Sequence, residues 1–418
     1  MASFISHNQW RTIMTQRFSL LFLITLIVFP LVQAQHFYLD INVDVTASRF
    51  NPNVDPERTI NTNFRDDDPF NPLRAKLFPT IKFNETFTIE GDFLFDNKGK
   101  RFDRTKGNQP FRMDGLFLAV KGLLRNNLNL WFGKIPTPVG TFSPRSYSHV
   151  NPLIGWPLAY HYKIPYNVFT ASSEASNLAL RDNNYGAGTS IYEACWITGI
   201  TALGNVNNME YMIAIGRGTL TNPEASANKG FQIAGRFGYK FSDNIKTGLS
   251  AGIAPYLEYS TGLPTGTSLR DPKHIITGID VAIHVSNIHL SAEGFYNSWD
   301  TPQYQNEKSI HAYTWYVEGQ YFLFPDLYTA LRFDRILYHD ITDPITGQKT
   351  PWGYNVSRIE AGFGYKLLEQ LTIKAIVQQN FLSNPNSNSI TILGLQAAFR
   401  FEDFQTLVGW DAKGQPSY

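Results

Sequence analysis

The chain has 418 residues, 43% of them hydrophobic, with 36 Lys and Arg set against 35 Asp and Glu. This near-neutral balance excludes a polyanion-binding surface, so no nucleic-acid partner is expected, and it gives no acidic tail. Aromatic residues make up 14%, with 31 Phe, 21 Tyr and 8 Trp, a content suited to the interfacial girdles of a membrane barrel.

The N-terminus carries one long apolar run, Phe18 to Val32, preceded by Arg11 and Arg17 and followed by Val32-Gln33-Ala34. A basic start, an apolar middle and an A-x-A-like end predict a signal peptide over 1–34, cleaved after Ala34. The run is short for a spanning helix of about 20 residues, and Pro30 suits a signal better than an anchor. The basic region is long enough that either Met1 or Met14 is the start. The single cysteine, Cys195, excludes an internal disulfide and a Cys/His metal centre.

From residue 35 onward the pattern changes to a period of two, which puts successive side chains on opposite faces of a strand. At 36–49, Phe37, Leu39, Ile41, Val43 and Val45 alternate with His36, Tyr38, Asp40, Asn42 and Asp44. The same alternation recurs at 73–83, 86–96, 112–123, 127–135, 190–203, 207–218, 229–241, 244–256, 272–286, 288–299, 309–323, 326–338, 354–367, 370–381 and 389–401. The segment at 190–203 is the least regular, because ACWITGITAL is apolar on both faces. The connections alternate between short turns and long loops. That segregation follows if every hairpin crosses a bilayer, with short periplasmic turns and longer extracellular loops. Lipid supplies no hydrogen-bond partners, so the sheet must close on itself. The expectation is an all-β, antiparallel up-and-down transmembrane barrel of about sixteen strands (14–18) over 35–401, in the outer membrane of a Gram-negative-type bacterium. The stretch 402–418 is a C-terminal tail or an extension of the sheet. Outer-membrane lipid is then the expected partner of the apolar face.

The longest connection is the third extracellular one, 136–189. Prolines at 136, 138, 144, 152, 157 and 165 stiffen it, and Leu153, Ile154, Trp156 and Leu158 give it an apolar side. One reading folds this loop into the barrel as a constriction, with Lys134, Arg145, His149, His161 and Lys163 facing the lumen. The other makes it an extracellular cap. Alternation places Arg74, Lys76, Lys82, Arg236, Lys240, Lys246, Arg332, Arg358, Lys366, Lys374 and Arg400 inward as bases. It places Asp40, Asp44, Glu90, Asp92, Asp280, Glu293, Glu318, Asp334 and Glu360 inward as acids. Most of these read as solvated wall. The set predicts either a weak anion preference or opposed rows of charge across the pore.

Gly248-Leu249-Ser250-Ala251-Gly252 matches a nucleophile elbow, but that chemistry needs a strand-to-helix turn, and the match lies inside an alternating strand. Asp66, Asp67 and Asp68, with Asp55 and Asn51 nearby, lack EF-hand spacing and read as a solvated loop. No catalytic residue, metal or cofactor is expected.

The stretch LWFGKIPTPVGTF (130–142) followed by NPLIGWPLAY (151–160) resembles strand-plus-loop segments of the outer-membrane porin superfamily, including the phosphate-selective porin-like barrels. The last strand, SITILGLQAAFRF, resembles the C-terminal insertion signal of outer-membrane proteins. The resemblance implies a channel for passive diffusion of small hydrophilic or anionic solutes or ions, a third loop that narrows the pore, and a homotrimer. The coiled-coil extension of some phosphate-selective members is missing, so phosphate selectivity is not carried over. The alternatives are a lipase- or esterase-like barrel enzyme and a surface adhesin or anchor without transport.

Overall fold

A computed structural model describes residues 36–51, 72–97, 110–161, 164–165, 187–188, 190–191, 196–220, 230–257, 265–301, 308–342, 347–353, 355–383 and 389–402. The predicted signal peptide, the tail beyond Glu402, Cys195 and the Asp55 and Asp66–Asp68 cluster lie outside these residues.

Sixteen antiparallel strands form one closed barrel in chain order. The first quarter is β1 (His36–Asn51), β2 (Leu73–Lys82), β3 (Phe87–Asp96) and β4 (Phe111–Gly122). Next come β5 (Leu128–Ile135), β6 (Ile197–Val206), β7 (Met209–Arg217) and β8 (Phe231–Ser242). The third quarter is β9 (Ile245–Pro255), β10 (Lys273–Val285), β11 (Ile288–Asp300) and β12 (Ser309–Phe324). The last is β13 (Leu327–Tyr338), β14 (Val356–Leu368), β15 (Leu371–Leu382) and β16 (Ser389–Phe401). The barrel closes where β1 pairs with β16, from Ile41 opposite Phe401 to Asn51 opposite Thr391. Closure leaves no strand edge unpaired, as a sheet in hydrocarbon requires. Among the described residues no helix is long and apolar enough to cross a membrane; the crossings are made by strands.

Burial is inverted relative to a water-soluble fold. Large apolar side chains such as Leu249, Ile279, Leu331 and Leu395 are exposed on the outer surface. Their strand neighbours Ser250, Asp280, Arg332 and Gln396 are buried within. A contiguous apolar exterior of this extent is tolerated only where lipid covers it. Exposed aromatics ring both ends, with Phe111 and Phe231 toward the long loops and Phe241, Phe324 and Tyr365 toward the short turns.

Two segments depart from simple alternation. The sixth strand begins at Ile197 rather than 190. Ser190 and Ile191 belong to the returning limb of the third loop, where the Ile191 amide donates to the Ala159 carbonyl (3.1 Å). The two-faced apolar character of this segment has a cause inside the barrel. Ile197 packs with Phe117, Ala119, Ile135 and Ala214 in a dry cluster on the inner wall. The second departure is a bulge in β4. Asp92 pairs with Gly115 and Phe93 with Met113, so Asp114 is the extra residue. A bulge switches which alternate positions face inward. Arg112 and Asp114 face the lumen on one side of it, Phe117 and Ala119 on the other.

Candidate functional site

The third long connection enters the barrel and runs around its inner wall. Its path can be followed by the strand side chains that hold it. Gln232 on β8 donates to Thr137 (2.7 Å). The Gly140 amide donates to Ser250 on β9 (3.0 Å). Glu293 on β11 accepts from the Thr141 amide (2.8 Å), the Thr141 hydroxyl and the Tyr160 hydroxyl. Gly140 adopts φ +68°, and a Cβ there would collide with the Tyr160 hydroxyl and the Glu293 carboxylate. Only glycine makes that turn against the wall. Burial raises the Tyr160 pKa well above its ordinary value, so it remains a proton donor to Glu293.

The firmest anchorage lies over β12–β15. Arg332, fully buried, pairs with Glu318 (3.0 Å), Glu360 (2.8 Å) and Asp334 (3.6 Å), and it donates to the Gly155 carbonyl. Glu360 accepts the backbone amides of Ile154 (3.2 Å) and Gly155 (2.7 Å). Arg358 donates to the Trp156 carbonyl (3.2 Å) and to Asn380 (2.6 Å). Lys374 donates to the carbonyls of Ser148, Asn151 (2.7 Å) and Leu153 (3.3 Å). Arg145 reaches from the loop to Glu318. Burial alone would lower the Arg145 pKa, but the Glu318 carboxylate more than offsets it. Between these polar ties, Leu153, Ile154 and Leu158 pack with Trp299, Ile336 and Ile376, and Phe142 and Tyr160 pack with Phe295 and Tyr316. A buried charge persists only when paired and hydrogen-bonded, and here the loop backbone completes the set.

Strands β1–β7 are covered far less. The loop bonds β1 and β3 through Ser148, which bonds Asn42 (3.0 Å), and Tyr147, whose hydroxyl donates to Asp92 (2.9 Å). Around that point charges of both signs interleave. Lys76 lies between Asp92 (3.4 Å) and Asp114 (3.3 Å), Arg74 pairs with Asp96 (3.5 Å), and Arg112 pairs with Asp114. Further round, Arg236 grips Asp280 with two bonds (2.9 and 2.8 Å) and also binds Glu210. A cavity of about 450 Å³ opens between the loop and β5–β8. A second, smaller one of about 30 Å³ lies between the loop and β1–β3, lined by Asp44, Arg74 and Lys76.

The predicted site residues divide accordingly. Arg145 and His149 lie on the loop inside the barrel, and Arg74 and Arg236 face inward beside the open spaces. Glu293, Glu318, Arg332, Asp334 and Arg358 also face inward, yet they are buried beneath the loop. The expectation of solvated wall fails for them, because the loop replaces water as their partner. Lys134 is a further correction. It pairs with Leu116 and Thr198, while Trp131 and Gly133 take the inward positions, so Lys134 faces out. There it donates to the Met113 carbonyl at the rim. The side chain of His161 and residue Lys163 lie outside the described residues. Ser250 lies in the middle of β9, with no helix following. Sequence reasoning missed Arg112 and Asp114, because the bulge in β4 switches their face. Charges at every second position in Arg112-Met113-Asp114 were the available signal.

A lipid-facing closed barrel of sixteen strands, with its third long loop inside, is the build of an outer-membrane porin-like barrel. No protein-family model and no curated protein sequence matches the chain. Solved structures do match it in fold. It is similar to an anion-selective porin from Comamonas acidovorans, with TM-score 0.55 and 8% identity over 88% of this chain and 99% of that one. It is also similar to Salmonella typhi OmpF in complex with daunomycin, with TM-score 0.53 and 11% identity over 87% and 97%. A third is outer-membrane expressed OmpT of Vibrio cholerae, with TM-score 0.50 and 14% identity over 88% and 97%.

Proposed function

We propose that the chain is a porin-type channel for passive diffusion of small hydrophilic or anionic solutes, narrowed by the loop 136–189. The observation that carries this reading is the course of the loop. It is held against the wall from β8 round to β15, and the open spaces lie on its other side. A passage displaced to one side of the lumen and lined by paired charges suits solutes that cross by diffusion. The reading includes no catalytic step: Ser250, the one serine in an elbow-like motif, is held in a strand and accepts the Gly140 amide. Assembly as a homotrimer is part of the proposal and rests on the resemblance to porins.

The test is planar-bilayer recording of the purified mature chain. Discrete open-channel current steps are expected. In a Cys195→Ser background, Ser143→Cys lines the larger cavity. A small thiol reagent at that position reduces the current, and a bulky one fails to enter. A folded barrel that carries no current and hydrolyses esters overturns the proposal. A Ser143→Cys channel labelled freely by bulky reagents with unchanged current removes the loop from the passage.

A further inference from the structure

The 450 Å³ cavity lies within the size range of small-molecule sites, about 300–1,000 Å³, and like them it is mostly apolar with a few polar groups. Its wall side is built from the indoles of Trp131 and Trp196, and its loop side carries the ring of Tyr147. The Trp196 seat is specific. Its ring lies so close over Gly115 that a Cβ there would sit 2.5 Å from the indole, and only a glycine in β4 admits it. Trp131 is braced by Phe117, with ring centres 4.8 Å apart. Trp131 on β5 and Trp196 immediately before β6 thus set two large aromatic side chains beside an open space.

Glu210 and Arg236 are the ionisable groups among its described lining residues apart from the tyrosines, and they bind each other, with Asp280 taking the rest of the guanidinium. An anion meets no unpaired base here, and Glu210, which shares its cation with Asp280, keeps acceptor oxygens for a hydroxylated solute. The remaining polar groups are neutral donors and acceptors at the margin: Asn129, Asn205, Thr137, Thr141 and Ser143. Flat apolar faces with a neutral hydrogen-bonding margin complement a solute with one apolar ring face and a hydroxylated edge. Amphipathic rings such as indole and phenol serve this kind of mixed surface.

We infer that the cavity between the loop and β5–β8 is a stacking site for uncharged pyranose sugars, mono- or disaccharides, on the way through the channel. The inference rests on the channel reading above and narrows its solute class for this segment of the passage.

Maltose titrated against the ion current of the full chain in planar bilayers tests it. Maltose is expected to reduce the current saturably, beyond what its viscosity explains. Trp131→Leu and Trp196→Leu keep apolar bulk and remove the indole plane, and each is expected to weaken the apparent affinity roughly two- to tenfold. Heat-shifted electrophoretic migration shows whether a variant barrel is folded. Should neither variant fold, the wild-type chain in detergent gives a second readout, because maltose is expected to change its tryptophan emission saturably. Normal current steps with neither maltose block nor an emission change overturn the stacking site and leave the channel standing. Block that persists unchanged in folded leucine variants also overturns it, as does saturable block by inorganic phosphate with none by maltose. Absence of any conductance overturns the channel reading first.

Discussion

Strands β11–β15 and strands β2–β8 present the same alternating pattern to the lumen, yet the loop covers the first group and leaves most of the second beside open space. On β12–β15 the inward charges are covered: Arg332, Glu360 and Lys374 each spend hydrogen bonds on loop backbone. On β2–β4 the inward charges Lys76, Asp92 and Asp114 bond mainly one another, with a single loop hydroxyl among them. The contrast teaches that an inward charge in such a barrel has two distinct uses. It can hold a polypeptide plug in place, or it can set the field that a solute meets.

The comparison breaks most readily at Arg332. Arg332→Met leaves Glu318, Asp334 and Glu360 buried without their shared cation, at a cost of about 3–5 kcal/mol. The expected outcome is a detached loop, a larger and noisier single-channel current, and a lowered temperature of electrophoretic heat shift. Unchanged current in the folded variant would falsify the anchoring role. Lys374→Met removes one charged donor from three loop carbonyls, at about 1.5–3 kcal/mol. A smaller current increase of the same kind is expected.

Substitution on the open side sharpens the contrast in the other direction. Lys76→Gln, a partly exposed position, is expected to lower the heat-shift temperature less than Arg332→Met does, because Asp114 keeps Arg112 and Asp92 keeps the Tyr147 hydroxyl. It should move the anion-to-cation permeability ratio toward cations on the order of twofold, read from reversal potentials in a salt gradient. Loss of stability comparable to that of Arg332→Met would erase the distinction.

The smallest effect belongs to His149 on the loop. Burial, with Arg400 and Lys374 nearby, pushes its pKa down to about 3. The docked loop therefore holds this imidazole neutral, whereas a released loop returns it to about 6.5. Docking is fully favoured above pH 6.5 and weakens as pH falls toward 3, by at most about 1.4 kcal/mol per pH unit. Partial solvent access reduces that figure. Single-channel current recorded from pH 7 to pH 4 should become noisier, and His149→Gln should remove part of the dependence. Identical profiles for both proteins would exclude His149 as the sensor.

Much of the fold is legible in the sequence because lipid on one side and polar contents on the other impose a strict period of two. Strand boundaries such as Phe87–Asp96 and Ser309–Phe324 follow directly from it. What escapes is whatever breaks the period or depends on contacts distant in sequence. The bulge at Asp114 changes face without changing composition. Lys134 reads as a loop cation until the register with Leu116 is known. Burial of Arg332 and Glu360 depends on Gly155, 177 and 205 residues away, and no local pattern distinguishes a wetted wall from a covered one. Prolines and apolar residues in the loop gave the one hint that something packs against that wall.

The tie between Ser148 and both ends of the chain bears on how the barrel is assembled. Ser148 bonds Asn42 on the first strand, and its carbonyl takes the ammonium of Lys374 next to the last. Gln396 on β16 bonds Thr46 on β1 (3.0 Å) at the same level. The plug is synthesised long before its principal clamps, which follow it by up to 226 residues. Its final seating must therefore wait for the C-terminal strands. Once seated, it rivets the N- and C-terminal strands together from within, so that unzipping this junction requires the plug to be pulled free as well.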